Sequence, residues 1–147
     1  MDIRKQEAKK RKTEAESLRL QLDLLVGKIV KLRDSDEYGY LNCPICRKQI
    51  HIKQSEAMHY KGRSSQNTRY DLLNVHAGCE FCNHTMTERK YQIFSEYIDN
   101  KHESGTTSIL ESLSKQECKR TLNDLRELKA KYTILYNKLK KQKMFSI

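Results

Sequence analysis

No stretch of this sequence approaches the roughly 18 consecutive apolar residues that a membrane-spanning helix needs, which excludes an integral helical membrane protein. The opening run Met1-Asp2-Ile3-Arg4-Lys5 leads into charged residues and carries no apolar signal segment. The expectation is therefore a soluble, unsecreted, cytoplasmic protein with no membrane partner. Trp is absent and Pro occurs once. Hydrophobic residues make up 37% and charged residues 33% of the 147 positions, a balance that allows a modest core and leaves much helix surface exposed. No internal repeat is present, which sets aside a repeat array.

What the chain does have is a pair of cysteine motifs and a strong positive charge. Cys43-Pro44-Ile45-Cys46 is followed after 32 residues by Cys79-Glu80-Phe81-Cys82. Two CxxC pairs at that separation point to one tetrahedral Zn²⁺ bound by four thiolates. In a reducing compartment that reading is favoured over disulfides. Cys118 is left over and falls in a helical pattern, where it acts as a small apolar residue. The net charge of +10 is unevenly placed: residues 1–12 carry +4, residues 47–90 carry +4 and residues 129–147 carry +6. A polyanionic partner, nucleic acid first, is the natural inference. Solvated lysine on helix surfaces is the bland one.

Residues 2–33 read as a helix, with Leu18, Leu22, Leu25, Ile29 and Leu32 making one apolar stripe. After a linker, the first CxxC runs into the alternating segment Gln49-Ile50-His51-Ile52, which fits a zinc knuckle leading into a strand. Residues 61–69 are a basic polar loop and residues 70–76 read as a second strand, which would put Asn74 and His76 on one side. The second CxxC opens a helix, Thr85-Met86-Thr87-Glu88 fits a capping box, and Tyr91, Phe94 and Ile98 line the face of the next helix. A short helix is expected at 108–113 and a long one from 115 to about 143, where Cys118, Leu122, Leu125, Leu128, Tyr132, Leu135 and Leu139 form a coiled-coil-like seam. The two long helices could pair within the chain or between copies.

Knuckle, strand, loop, strand and a cysteine pair at a helix start is the order of a treble-clef zinc finger, whose ββα part resembles the frame of HNH nucleases. In that frame a histidine acts as general base on water. An asparagine orients the histidine by hydrogen bonding, and one divalent metal binds the scissile phosphate. His59 stands at the position of the base, Asn74 at that of the orienting residue, and Asn83 at that of a metal ligand at a helix start. Each has an ordinary alternative. His59 could be a packed strand residue, Asn74 a turn residue and Asn83 an N-cap. His76 and His84 could serve the zinc if one cysteine did not, or contact phosphate.

The segment Ala57-Met58-His59-Tyr60, Arg63, Arg69-Tyr70-Asp71-Leu72-Leu73-Asn74-Val75-His76 and Cys79-x-x-Cys82-Asn83 resembles the NinG (Rap) family of phage recombination proteins. Lys31-Leu32-Arg33-Asp34 is similar too, so the resemblance covers about residues 28–100. It implies a structure-specific endonuclease acting on branched recombination intermediates such as Holliday junctions and D-loops, a bacteriophage origin, and work in the cytoplasm of the host. Many HNH enzymes carry Asp directly before the catalytic His. Here that position is Met58, which cannot ligate a hard cation. NinG-like sequences are similar in lacking that Asp. Either His59 is itself a ligand or other groups hold Mg²⁺ or Mn²⁺; Asp71, His76, Glu56 and Asn83 are the candidates, and Asp71 is preferred as the only carboxylate within five residues of Asn74. An ion pair with Arg69 or Arg63 is its ordinary alternative.

The expected fold is α+β: a treble clef with a ββα (HNH-like) core flanked by long N- and C-terminal helices. The divisions are 1–34 (basic amphipathic helix), 35–104 (zinc-bound nuclease domain) and 105–147 (helical region with a basic tail). Cys43, Cys46, Cys79 and Cys82 would hold structural zinc, and Lys61, Arg63, Arg69, Arg89 and Lys90 would contact phosphates of branched or double-stranded DNA. Resolving a junction needs two symmetric cuts, so a homodimer through the helical segments is expected. The alternative is a non-catalytic zinc DNA-binding or adaptor protein with a decayed site, which Met58 favours. A helical interaction protein capped by zinc is a third reading, and it leaves the basic loop unexplained.

Overall fold

A computed structural model describes residues 2–143; Met1 and positions 144–147 of the expected basic tail lie outside the described residues. The N-terminal apolar stripe forms α1 (Ile3–Asp34), capped by the Asp2 carboxylate on the Arg4 amide. Its buried positions are Leu18, Leu22, Val26, Ile29, Val30 and Leu32. Leu25 is only partly buried. The helix ends on Lys31 and Arg33, which suit the negative end of its dipole.

β1 (Tyr40–Asn42) and β2 (Gln49–His51) form an antiparallel hairpin around the first CxxC. The turn closes with Cys43 N–H on the Lys48 carbonyl and Arg47 N–H on the Cys43 carbonyl. Arg47 sits there at φ 65°, a left-handed conformation that an L residue adopts only under constraint. One 3₁₀ turn (Ile52–Gln54) leads to β3 (Ser55–His59), which pairs antiparallel with β4 (Val75–Cys79). The second strand thus starts at Val75, not at Tyr70. Residues 70–74 form turns, with Asp71 N–H on the Thr68 carbonyl and Asn74 N–H on the Asp71 carbonyl. The local side-chain bond from Asp71 to the Leu73 amide offers the backbone an alternative to a ladder.

α2 (Glu80–His84) follows, N-capped by Cys79, and then α3 (Glu88–Lys101), capped by Thr87. α4 (Thr106–Ser114) starts after Gly105 at φ 91°. The last helix, α5 (Leu122–Gln142), begins seven residues later than its apolar pattern suggests. Thr121 and Asp124 form a reciprocal capping box there, a stronger start signal than Ser114–Glu117. Cys118 therefore lies in the connection, partly exposed, and not in a helix.

α1 and α5 pack on each other within the chain. The α5 seam residues Leu125 and Tyr132 are buried in one cluster with Leu18, Leu22, Val26, Ile29, Tyr70 and Val75. A second cluster gathers Leu41, Ile45, Ile50, Met58, Tyr60, Phe94, Ile98 and Leu110 around the cysteines. The β3–β4 hairpin lies between the two. Met58 and His76 oppose each other on the side of the cysteine cluster, and His59 and Val75 oppose each other on the side of α1. Asp34 and Arg33 run along the outer edge of β4: Asp34 accepts from the Ala77 amide and Arg33 donates to the Val75 and Leu72 carbonyls.

Candidate functional site

The four cysteines of the two CxxC pairs converge as their spacing predicts. The Sγ atoms of Cys43, Cys46, Cys79 and Cys82 all lie within 4.8 Å of one another. The Cys46–Cys79 separation of 3.8 Å equals the edge of about 3.8 Å that a ZnS₄ tetrahedron with 2.3 Å bonds requires. Backbone amides serve the sulfurs: Cys82 N–H points at the Cys79 Sγ at 3.3 Å. At Cys43, burial acts upward on the thiol, yet the amides of Cys79, Cys46 and Ile45 hold it below its ordinary value. Burial pushes Cys82 up to about 12, so a cation is what makes four thiolates tolerable in one place. The cluster fits structural zinc.

Around His59 the arrangement is different from a direct Asn–His contact. Asn74 is fully buried. Its amide donates to the Lys61 and Thr68 carbonyls, both at 3.0 Å, and its Oδ1 accepts from the Lys61 amide at 2.7 Å. It therefore clamps both ends of the 61–69 loop. The Arg69 backbone and Asp23 favour the protonated form of His59. Burial and the charge of Arg63 outweigh them and hold the ring below the usual histidine range. His59 is thus neutral at pH 7, and its buried Nε2 has no hydrogen-bond partner.

The proposed metal ligands do not gather at one point. Asn83 donates to the Glu56 carboxylate at 2.7 Å, and His84 Nε2 lies 2.9 Å from the same oxygen. Donor atoms of Glu56, Glu80 and His84 fall within 4.8 Å of one another. Asp71 is elsewhere, holding the Leu73 amide. His76 is fully buried, packed edge-on against Phe94 and Tyr97, with its Nε2 2.8 Å from Nε2 of His102. Burial depresses its pKa to about 3. Glu56 and His59 leave β3 on opposite faces, as residues three apart in a strand must.

Met58 fills the place of the missing Asp. It is wholly buried and packs over Gly78, where an added Cβ would come within 2.4 Å of its Cε. Among the expected phosphate contacts, Lys61 is paired with Glu111 at 2.7 Å and Arg69 with Asp23. Lys90 donates to Thr85 and lies over the Phe81 ring. Arg63 and Arg89 are exposed and have no ion pair among the described residues.

Sequence reasoning missed Glu80, Asp23 and the role of Arg33-Asp34. Glu80 carries a signal in hindsight, since it lies one helical turn before His84. Asp23 carries none, because its partner is 46 positions away.

No curated protein and no solved structure is matched by the chain. The model of the family described as the bacteriophage lambda NinG protein matches residues 1–143, and the chain belongs to that NinG family.

Proposed function

We propose that this protein is a structure-specific DNA endonuclease acting on branched recombination intermediates, such as Holliday junctions and D-loops. In this reading the zinc cluster and the two hairpins are a treble clef, and β3, β4 and α2 are its ββα nuclease unit. The carrying observation is the clamp at the hairpin mouth: Asn74 fixes the 61–69 loop and His59 stands at the end of β3, neutral at pH 7, with an unpartnered Nε2. A neutral histidine can accept a proton from water, and because this Nε2 is buried, water must first be admitted to it. Membership of the NinG family supports a role in phage recombination.

Asn83, Glu56, Glu80 and His84 offer an amide oxygen, two carboxylates and an imidazole, a donor set suited to Mg²⁺ or Mn²⁺. An ion held there would supply charge stabilisation to a phosphate, although Glu56 leaves β3 on the face opposite His59. Arg63 and Arg89 hold the DNA backbone without reading its sequence, so the choice of branched DNA rests on shape. The seam of α1 and α5 is used inside the chain; a homodimer suited to two symmetric cuts uses another surface.

One observation favours the non-catalytic DNA-binding reading: Met58 is locked into the core where an Asp would reach the metal. A labelled four-way junction and a matched linear duplex, with Mg²⁺ or Mn²⁺, decide between the two. The wild type is expected to cut the junction, and His59→Ala to cut it about 10²–10⁴-fold more slowly. Binding without cutting under every metal condition would leave the adaptor. Undiminished cutting by His59→Ala would move the base elsewhere.

A further inference from the structure

We propose that Phe81 is a stacking platform for an unpaired nucleobase at the branch of the DNA substrate. The proposal deepens the branched-DNA reading and rests on it for the identity of the ligand. Phe81 lies between Cys79 and Cys82 and is 69% exposed, although its side chain is large and apolar. Single exposed apolar residues are ordinary on protein surfaces, but this one is held in place. Its carbonyl accepts from the Thr85 amide at 3.0 Å and from the Thr85 hydroxyl at 2.6 Å. Lys90 Nζ donates to that same hydroxyl oxygen at 2.7 Å and lies 4.5 Å from the centre of the Phe81 ring. No other cation–ring contact among the described residues is as short. A closed circuit therefore runs from ring to carbonyl, hydroxyl, ammonium and back to ring. A side chain ordered beforehand loses little freedom when a ligand arrives.

The chemistry around the ring suits a nucleotide. An aromatic face stacks on any base, whatever the sequence. The ammonium over the ring, with exposed Arg89 next to it in the chain, supplies positive charge for the phosphate. Beside the ring runs a groove of 580 Å³, lined also by Lys48, Gln49, Ile50, Gln54 and Glu80. Ile50 adds apolar surface there, and the two amides and the carboxylate offer donors and acceptors to a base edge. Glu80 repels a phosphate, so the neutral base belongs in the groove and the phosphate on the Lys90 side. Glu80 is also one of the three donors gathered with Glu56 and His84, so a base held at Phe81 brings the branch beside that cluster. Taking a base out of an intact duplex costs stacking and pairing, and least where the base is already unpaired. A platform of this kind thus favours branched over linear DNA without reading sequence.

The chain contains no Trp, so Phe81→Trp places a single fluorophore at the platform. The zinc-loaded full chain is titrated, without Mg²⁺ or Mn²⁺, with a four-way junction carrying unpaired thymines at its branch and with a matched linear duplex. The junction is expected to quench the emission and the duplex to leave it unchanged. Phe81→Ala should weaken junction binding roughly tenfold or more, with duplex binding and zinc content unaltered. Phe81→Tyr should bind the junction as the wild type does, whereas Phe81→Leu, apolar but without a π face, should not. Unquenched emission in the bound junction complex, or equal quenching by the duplex, overturns the proposal. Wild-type junction binding by Phe81→Leu overturns it as well and marks the residue as apolar surface for a protein partner. Cutting is read separately with Mg²⁺ or Mn²⁺ added. A wild type that binds the junction with the expected quenching and never cuts sinks the nuclease reading and spares the platform; normal cutting with unquenched emission does the reverse. A wild type that binds neither DNA sinks both.

Discussion

The two faces of the β3–β4 hairpin rest on cores of different kinds. On one, Met58, Tyr60 and Phe94 surround four thiols that only a cation reconciles. On the other, α1 and α5 bury a leucine-rich seam that needs no metal. The first is assembled from short strands and short helices, which cannot be stable alone at this size. The second is a helical hairpin with long apolar stripes. The chemistry of the site follows the same division. The carboxylate cluster of Glu56 and Glu80 belongs to the cysteine side, whereas His59 and its loop lean on the helices.

Removing zinc should break the comparison most sharply. Structural zinc contributes on the order of 10 kcal/mol to folding in small domains. Chelation, or Cys79→Ser, is expected to abolish hydrogen-exchange protection across residues 40–100 while amides in α1 and α5 keep theirs. Equal loss throughout would mean that the two cores unfold as one unit.

Acid should come next. The folded-state pKa of His76 is depressed to about 3, so the unfolded chain binds the extra proton first. The stability held by the neutral ring is complete above pH 6.5 and is lost as pH falls from 6.5 towards 3, on the order of 5 kcal/mol in total. His102 is depressed by burial as well, and the 2.8 Å Nε2–Nε2 contact has room for one hydrogen, not two. Urea titrations between pH 7 and 4 should show a steeper loss for the wild type than for His76→Phe. Parallel curves would remove His76 as the acid-sensitive point.

The smallest effect belongs to the helical core. Tyr132→Phe deletes the bond to the Tyr70 carbonyl and should cost about 1 kcal/mol in urea unfolding, with zinc affinity unchanged. A change in zinc affinity would show that the hairpin transmits strain from one face to the other.

The sequence made some of this legible and not the rest, for physical reasons. The cysteine cluster and α1 are encoded locally, by CxxC spacing and by a 3.6-residue stripe. The start of α5 was misplaced because the apolar period runs through Cys118 while the backbone caps at Thr121. Tyr70–Asn74 looked like a strand by composition, but the Asp71 side chain turns it. The His59 loop was legible as residues and not as contacts. Asn74 bonds the backbone of the 61–69 loop and not the His59 ring, and the Glu56–Asn83 pair forms only when β3 and α2 meet. Asp71 was preferred as a metal ligand for its nearness in sequence, which has no bearing on nearness in space.

The Arg33-Asp34 pair at the end of α1 has a consequence for association. Its side chains occupy the Val75 carbonyl and the Ala77 amide along the outer margin of β4. Asp34, although burial alone would raise it, is kept at about 2 by Arg33 and Lys101 and so stays ionised. The pair behaves as a substitute strand made of side chains. It closes the rim at which a foreign peptide would otherwise add to the sheet, so this two-stranded ribbon cannot grow in that direction.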